Sequence, residues 1–241
     1  MLRFIMLVLV VIVYMVYSLF LLVIIGIMKL FKYKKTPEYI QKRVKNFGKT
    51  LMFFSGSKIE IIGEENIPED NCLFVANHQS NFDIPIILSL IEKPMGFIAK
   101  KEVKKIPLIN VWVSLIKSVY LDRNNIRNAV KAINQAIEYI KEGHSMFVFP
   151  EGTRSSDGKL GEFKAGSFKL ATKPKVKIVP IVIIDSYKIM KKDSLKINRE
   201  NVKIVFLEPI STENFTKEEE KSVDQRVRTL IENKLKSYEN N

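Results

Sequence analysis

The segment Asn77-His78-Gln79-Ser80-Asn81-Phe82-Asp83 holds the residues best suited to chemistry in this chain. It follows an apolar run, Leu73-Phe74-Val75-Ala76, that reads as a buried strand, and the change to Asn, His and Ser marks the strand's end. Strand ends are where α/β sheets gather their reactive groups. Histidine is the side chain whose ordinary pKa, about 6.5, lets it take and return a proton near neutrality. An aspartate five residues on, across a turn, can accept a proton from one ring nitrogen, fix the tautomer and leave the other nitrogen as a base. The same two side chains can also cap a turn and do nothing more, so the spacing alone leaves both readings open.

A second stretch, Phe147-Val148-Phe149-Pro150-Glu151-Gly152-Thr153-Arg154-Ser155, again follows a strand. Proline ends the ladder and Gly152 permits a tight path, so Glu151, Thr153 and Arg154 are expected at the same sheet edge as His78. The planar fork of Arg154 suits a phosphate. Lys164, Lys169 and Lys173 lie nearby in the chain, although solvated lysines are ordinary on a basic protein. Two weaker stretches are Val119-Tyr120-Leu121-Asp122-Arg123, a short strand ending in an acid and a base, and Val179-Pro180-Ile181-Val182-Ile183, whose proline is awkward in a fully paired central strand.

Composition narrows the function classes. The 241 residues suffice for one α/β domain and an appendage. Lys and Arg outnumber Asp and Glu by 39 to 26, which favours anionic partners without choosing among nucleic acid, membrane and phosphorylated substrate. Nucleic acid is not expected, because the basic residues are spread along the chain and no RNP-type signature occurs. Cys72 is the one cysteine and sits in a strand pattern, so it reads as a buried, inert thiol. With only His78 and His144 besides, no metal cluster is expected.

The elements that position these residues can be read next. Phe4 to Met28 is twenty-five residues without a charge, of which eighteen are Leu, Ile, Val or Phe. At about 0.3 to 0.6 kcal/mol each they favour a bilayer by roughly 5 to 11 kcal/mol. As a helix the run measures about 38 Å, enough to cross a hydrocarbon core of about 30 Å with tilt. A cleaved signal peptide is the competing reading, but the stretch is long and no small-residue cleavage site precedes Lys29. Arg3 precedes the run, whereas Lys29, Lys32, Lys34, Lys35, Lys42, Arg43 and Lys45 follow it, so the remainder is expected on the cytoplasmic side. Thr36-Pro37 has the form of an N-cap and first helical residue. The helix it opens carries Ile40, Val44, Phe47, Leu51 and Phe54 on one stripe, with Lys42, Lys45 and Lys49 opposite. Such a helix either lies in a membrane interface or packs on a domain core, and the apolar neighbour favours the membrane.

After Gly56 short apolar runs alternate with helical patterns. Strands are expected at Lys58 to Ile62, Cys72 to Ala76, Met95 to Ala99, Val119 to Leu121, Met146 to Phe149, Lys177 to Ile183 and Val202 to Leu207. Helices are expected at Ile84 to Ile91, Pro107 to Ile116, Ile126 to Glu142, Gly166 to Thr172 and Thr216 to Tyr238. This alternation indicates an α/β fold: a mixed sheet of about seven strands with helices on both faces. Residues 1–56 are then a membrane-anchoring pair of helices, and 57–241 the α/β domain.

Taken together, in this order and spacing, the four stretches resemble the motif blocks of the glycerophospholipid acyltransferase family, and within it the bacterial 1-acylglycerol-3-phosphate acyltransferases. Asn77, His78 and Asp83 match the NHxxxxD block, Tyr120 to Arg123 the block ending in Asp-Arg, Phe149 to Ser155 the FPEGTRS block without a break, and Val179-Pro180 the VP block. Phe97 to Glu102 and Phe163 to Gly166 are also family-like, so the resemblance spans roughly residues 57 to 210.

The resemblance implies that His78, oriented by Asp83, takes the proton of the 2-hydroxyl of lysophosphatidic acid as that oxygen attacks an acyl thioester. No acyl-enzyme is implied, and no GxSxG elbow occurs. Arg154, Arg123 and Lys100 or Lys101 are the implied phosphate ligands, and Glu151, Gly152 and Thr153 the rest of the substrate site, with Glu151 positioning the glycerol or the loop and backbone N–H groups around Gly152 facing the oxyanion. No cofactor or metal is implied beyond an acyl-carrier-protein or coenzyme A thioester as co-substrate. The implied partners are the phospholipid membrane, lysophosphatidic acid and that thioester, and the implied place is the inner or plasma membrane. Acylation of glycerol 3-phosphate or of another lysolipid, hydrolysis of the thioester, and membrane-tethered binding without catalysis are the rival readings. One departure stands out: Lys117-Ser118 occupies a place where many members have glycines, and a side chain there narrows or recharges the acceptor pocket.

Overall fold

The computed structural model describes residues 1–155, 158–191 and 194–239. Seven strands, β1 (Lys58–Ile62), β2 (Cys72–Ala76), β3 (Met95–Lys100), β4 (Val119–Leu121), β5 (Ser145–Val148), β6 (Lys177–Ile184) and β7 (Asn201–Phe206), form one sheet in the order β1-β7-β6-β2-β5-β3-β4. Every pairing is parallel except β6 with β7, so the sheet is mixed, as the alternating pattern predicts. β2 and β5 are central and buried at every residue, which is why their sequences are unbroken apolar runs rather than alternating ones.

The period of two in these strands divides the core into two halves. Cys72, Phe74, Ala76, Phe147, Val179, Ile181 and Ile183 face one cluster, and Leu73, Val75, Met146, Val148, Ile178 and Val182 face the other. Helices α1 (Leu2–Leu30), α2 (Thr36–Ser55) and α3 (Asp83–Leu90) cover the first half. A short helix α4 (Ile109–Leu115) follows β3 and a 3-10 turn at Lys101–Lys105. The opposite half is covered by α5 (Ile126–Lys141), the four-residue α6 (Lys169–Thr172) and the long α8 (Lys217–Glu239), while the one-turn α7 (Ser186–Ile189) follows β6.

Three local expectations are revised. Thr36 is not the N-cap of α2: Lys35 takes that place, and the Thr36 hydroxyl instead donates to the Tyr33 carbonyl at 2.5 Å. The apolar stripe of α2 is packed against α3 and the first core, with Ile40 and Val44 buried and Leu51 and Phe54 partly so, which makes it a core-packing stripe; the extensive exposed apolar surface lies on α1, and α2 adds Phe53. Pro180 does sit in an interior strand, opposite Val75 of β2. On the β7 side the ladder shifts by one residue between the Ile181–Phe206 pair and the Ile178–Ile210 bridge, and the Pro180 carbonyl accepts from Leu207. The bulge falls where the ring has no N–H to give.

Candidate active site

Parallel register builds the site. β2 and β5 pair Leu73 with Met146 and Val75 with Val148, and the same offset, carried past both strand ends, sets His78 beside Glu151. The two loops are then tied together: the His78 N–H donates to Glu151 Oε1 at 2.7 Å, and the Ser155 N–H donates to the His78 carbonyl at 2.8 Å. On the other side of β2, the Asn77 amide donates to the Ile183 carbonyl and accepts from the Ile183 N–H, both at 2.8 Å. The histidine is thus held by the strands to its left and right.

Its ring is fixed as closely. His78 Nδ1 lies 2.7 Å from Asp83 Oδ2, and the ring stacks on Phe149 with centroids 4.0 Å apart and planes 14° from parallel. Asp83 is fully buried, and all its contacts come from donors. The Gln79 and Ser80 N–H groups donate to Oδ2 at 2.7 and 2.9 Å, and the Ser186 hydroxyl donates to Oδ1 at 2.5 Å. With the two N–H groups and the hydroxyl all donating to it, the carboxylate is set as an acceptor towards His78 Nδ1. Nε2 is the ring nitrogen that Asp83 does not engage. Asp83 is also the first residue of α3, where a negative charge meets the helix dipole favourably.

A cavity of about 490 Å³ opens in front of the ring. Its wall is apolar where α2, α3 and α4 meet, with Phe47, Leu88, Phe97 and Trp112 among the lining residues. Arg43, Lys100, Arg123 and Arg154 line the same cavity as His78. A cavity of this size, apolar with a few convergent polar groups, is the form of a small-molecule site, here suited to an amphiphile with an anionic head. Tyr14 and Met15 of α1 also line it, so the apolar helix is part of the site.

The sequence model of the family described as acyltransferase matches residues 58–184, a span that runs from β1 through β6 and contains all four motif blocks. The chain belongs to the acyltransferase family. Over 203 residues it is 33% identical to a probable 1-acyl-sn-glycerol-3-phosphate acyltransferase of Mycoplasma pneumoniae, covering 79% of this chain and 76% of that one. A chloroplastic 1-acyl-sn-glycerol-3-phosphate acyltransferase of Arabidopsis thaliana is 42% identical over 156 residues, 64% of this chain but 44% of its own length. The chain therefore spans less than half the length of that chloroplastic relative. The crystal structure of PlsC, the 1-acyl-sn-glycerophosphate (LPA) acyltransferase of Thermotoga maritima, superposes with a TM-score of 0.87 at 33% identity, covering 99% of this chain and 95% of that one.

The expected site residues divide into two groups. His78, Lys100, Arg123, Gly152, Thr153 and Arg154 line the cavity. Asp83, Glu151 and Lys101 do not. Glu151 is buried, its two oxygens accepting the N–H groups of His78 and Gly161 at 2.7 and 2.8 Å; burial pushes its carboxyl above the ordinary range, against those two hydrogen bonds and the nearby imidazole. It clamps one loop to the other. Lys101 pairs with Asp122 at 2.9 Å and so joins the turn after β3 to the end of β4. Arg123 is both a wall residue and a brace, since its Nη1 donates to the Gly152 carbonyl. Gly152 has φ +72°, and a Cβ there would come within 3.2 Å of Lys164 Nζ and 3.3 Å of Arg123 Cζ, so the turn between two cations excludes a side chain. Its N–H donates to the Phe149 carbonyl at 3.0 Å, so that group is not available to an oxyanion.

Lys117 does not recharge the pocket. Its backbone is left-handed (φ 58°), and its ammonium lies 4.6 Å from the Tyr139 ring centroid and 3.5 Å from Glu142, on the α5 side. Ser118 does face the cavity, where its buried hydroxyl accepts the Phe97 N–H at 2.7 Å. Cys72 is buried and its thiol is pushed up to about 11 by that burial, which makes it inert. His144 stands on the turn before β5, outside the cavity wall, and burial together with Lys117 lowers its pKa. Among the described residues no group of acids, cysteines and histidines could hold a metal ion. Ser186 and Phe149 are side-chain contacts of the His-Asp pair that the motif reading left without a role.

Proposed function

We propose that this chain transfers a fatty acyl group from an acyl thioester, on acyl carrier protein or coenzyme A, to the 2-hydroxyl of 1-acylglycerol 3-phosphate, giving phosphatidic acid. The observation that carries the reading is the His78–Asp83 contact of 2.7 Å at the wall of a cavity whose lining is mainly apolar but includes Lys100, Arg123 and Arg154. His78 Nε2 takes the proton of the acceptor hydroxyl as its oxygen attacks the thioester carbonyl, and the imidazolium that forms is stabilised by Asp83. The same nitrogen then returns a proton to the leaving thiolate, so no acyl-enzyme is required. Arg154, with Arg123 and Lys100, holds the acceptor phosphate; Glu151 and Lys101 act by holding the loops that carry these groups. The names of the similar proteins from Mycoplasma pneumoniae and Thermotoga maritima support this choice of acceptor.

Residues 1–56 seat the enzyme at a membrane and 57–241 carry the chemistry. α1 is long and apolar enough to cross a bilayer, and only 17% of its most apolar window is buried in the protein. The lysines and arginine that follow it support a cytoplasmic-face position for the catalytic part, at the inner or plasma membrane. A site there spares the lysolipid from extraction into water, which costs about 0.8 kcal/mol per CH₂.

The test is acyl transfer from a labelled thioester to lysophosphatidic acid in vesicles, by the native chain and by His78→Ala. Labelled phosphatidic acid from the first and a loss of about a hundredfold to ten-thousandfold in the second is the expected result, the contribution typical of a general base. Transfer only to glycerol 3-phosphate would move the acceptor, and consumption of thioester to free acid without acceptor would make the protein a hydrolase.

A further inference from the structure

Helix α5 carries an apolar stripe, Ile126, Val130, Ile133, Ile137 and Ile140, at helical spacing. Ile137 and Ile140 are buried in the second core, but the stripe overshoots its cover: Ile126 is 83% and Val130 53% exposed. Each is followed by an exposed cation, Arg127 and Lys131, and the first turn holds no acid. Cations at a helix N-terminus oppose the macrodipole, so this end of α5 is worse for stability than an acidic one would be. The overshoot also has a particular place. The helix begins three residues after Arg123, a wall residue of the catalytic cavity, and it lies on the sheet face opposite α1 and α2.

From these observations we infer that the first two turns of α5 are the docking face for an acidic carrier protein that delivers the acyl group as a thioester. The inference rests on the acyl-transfer reading above and selects between the two donors it leaves open. Coenzyme A needs point charges for its phosphates and no apolar pair outside the cavity. A bilayer is met by α1, on the other side of the sheet. An acidic protein surface with a few apolar side chains complements alternating isoleucine, arginine, valine and lysine, and the small area suits a partner that must leave after each turnover. A flexible thioester arm then has only the distance from α5 to the adjoining cavity to cover.

The experiment compares two donors, a palmitoylated bacterial acyl carrier protein and palmitoyl-coenzyme A, with lysophosphatidic acid in vesicles. Arg127→Glu combined with Lys131→Glu is expected to raise KM for the carrier-protein donor at least tenfold, and more at low salt, where charge attraction acts over a longer range. KM for palmitoyl-coenzyme A, KM for lysophosphatidic acid and vesicle binding are expected to stay unchanged, which also reports that the variant is folded. Ile126→Asp should act in the same direction. Equal losses with both donors, a fall in vesicle binding, or no change with either would overturn the inference while leaving acyl transfer intact. A native chain that transfers from neither donor would remove both.

Discussion

At the scale of single residues, the His78–Asp83 pair depends on a hydroxyl that comes from 103 positions later in the chain. Ser186 donates to the Asp83 oxygen that His78 does not use, so it is a positioning residue acting through the carboxylate. Ser186→Ala removes a hydrogen bond to a buried charge, worth about 1.5 to 3 kcal/mol. Part of that appears as stability and part as rate. The carboxylate, with one donor fewer, holds the ring less firmly, so kcat is expected to fall about tenfold, about 1.4 kcal/mol in the transition state, with KM little changed. Ser186→Thr, which keeps the hydroxyl, should restore kcat; a Thr variant as slow as the Ala variant would show that packing and not the hydrogen bond is at work. The motif gave His78 and Asp83 together because they share one turn. No sequence signal pairs Ser186 with Asp83, since the contact exists only once β6 has been laid beside β2.

The loop after β5 shows how the scale of the element decides what a residue does. An acid in a glycine-containing turn at a sheet edge leaves open whether it meets a substrate or holds the loop, and the family resemblance implies only that Glu151 positions one or the other. Register places it beside His78, and its oxygens accept from two backbone N–H groups. Strand assignment was legible for the same reason that the role of Glu151 was not: periodicity reports which residues are buried along one strand, whereas register between strands is set by the whole sheet. Glu151→Ala should cost about 1 to 3 kcal/mol for each N–H left unpaired, measured by denaturant unfolding, and lower kcat with little effect on KM. The sign of its pH dependence follows from the raised carboxyl. The folded state holds this proton at a pH where the unfolded chain has released it, so this site's contribution to stability is greatest in acid. It declines as pH rises from the ordinary carboxylate value through the raised folded one. The Glu151→Gln protein, which cannot ionise there, should lose that slope; an unchanged slope would mean that another group produces it.

For the molecule as a whole, the question is what α1 does besides cover a core. One stripe, Leu7, Ser18, Leu21 and Ile25, is buried against the protein, and Tyr14 and Met15 complete the cavity wall. The Tyr14 hydroxyl donates to the Arg43 carbonyl at 2.9 Å, fixing the crossing of α1 over α2. The other side exposes Val16 and Phe20, 65% and 63%, together with Val13 and Val23. Such an apolar surface is too extensive for water, and at about 44 Å the helix exceeds the hydrocarbon core of about 30 Å. Sequence made the length and hydropathy of this helix plain, but which stripe turns inward depends on its crossing with α2, set by contacts distant in the chain. The two sides can be separated by substitution. Val16→Asp with Phe20→Asp places two charges on the exposed side alone, at about 2.5 to 3.5 kcal/mol each in a bilayer centre, and should weaken partition into vesicles at least a hundredfold. Thioester transfer to a short-chain, water-soluble lysophosphatidate should persist in that variant, because the buried stripe and the Tyr14 contact are untouched. If partition is unchanged, the membrane is met elsewhere; if soluble-acceptor activity falls with partition, the exposed side of α1 also supports the cavity, and anchoring and catalysis are one function of the helix.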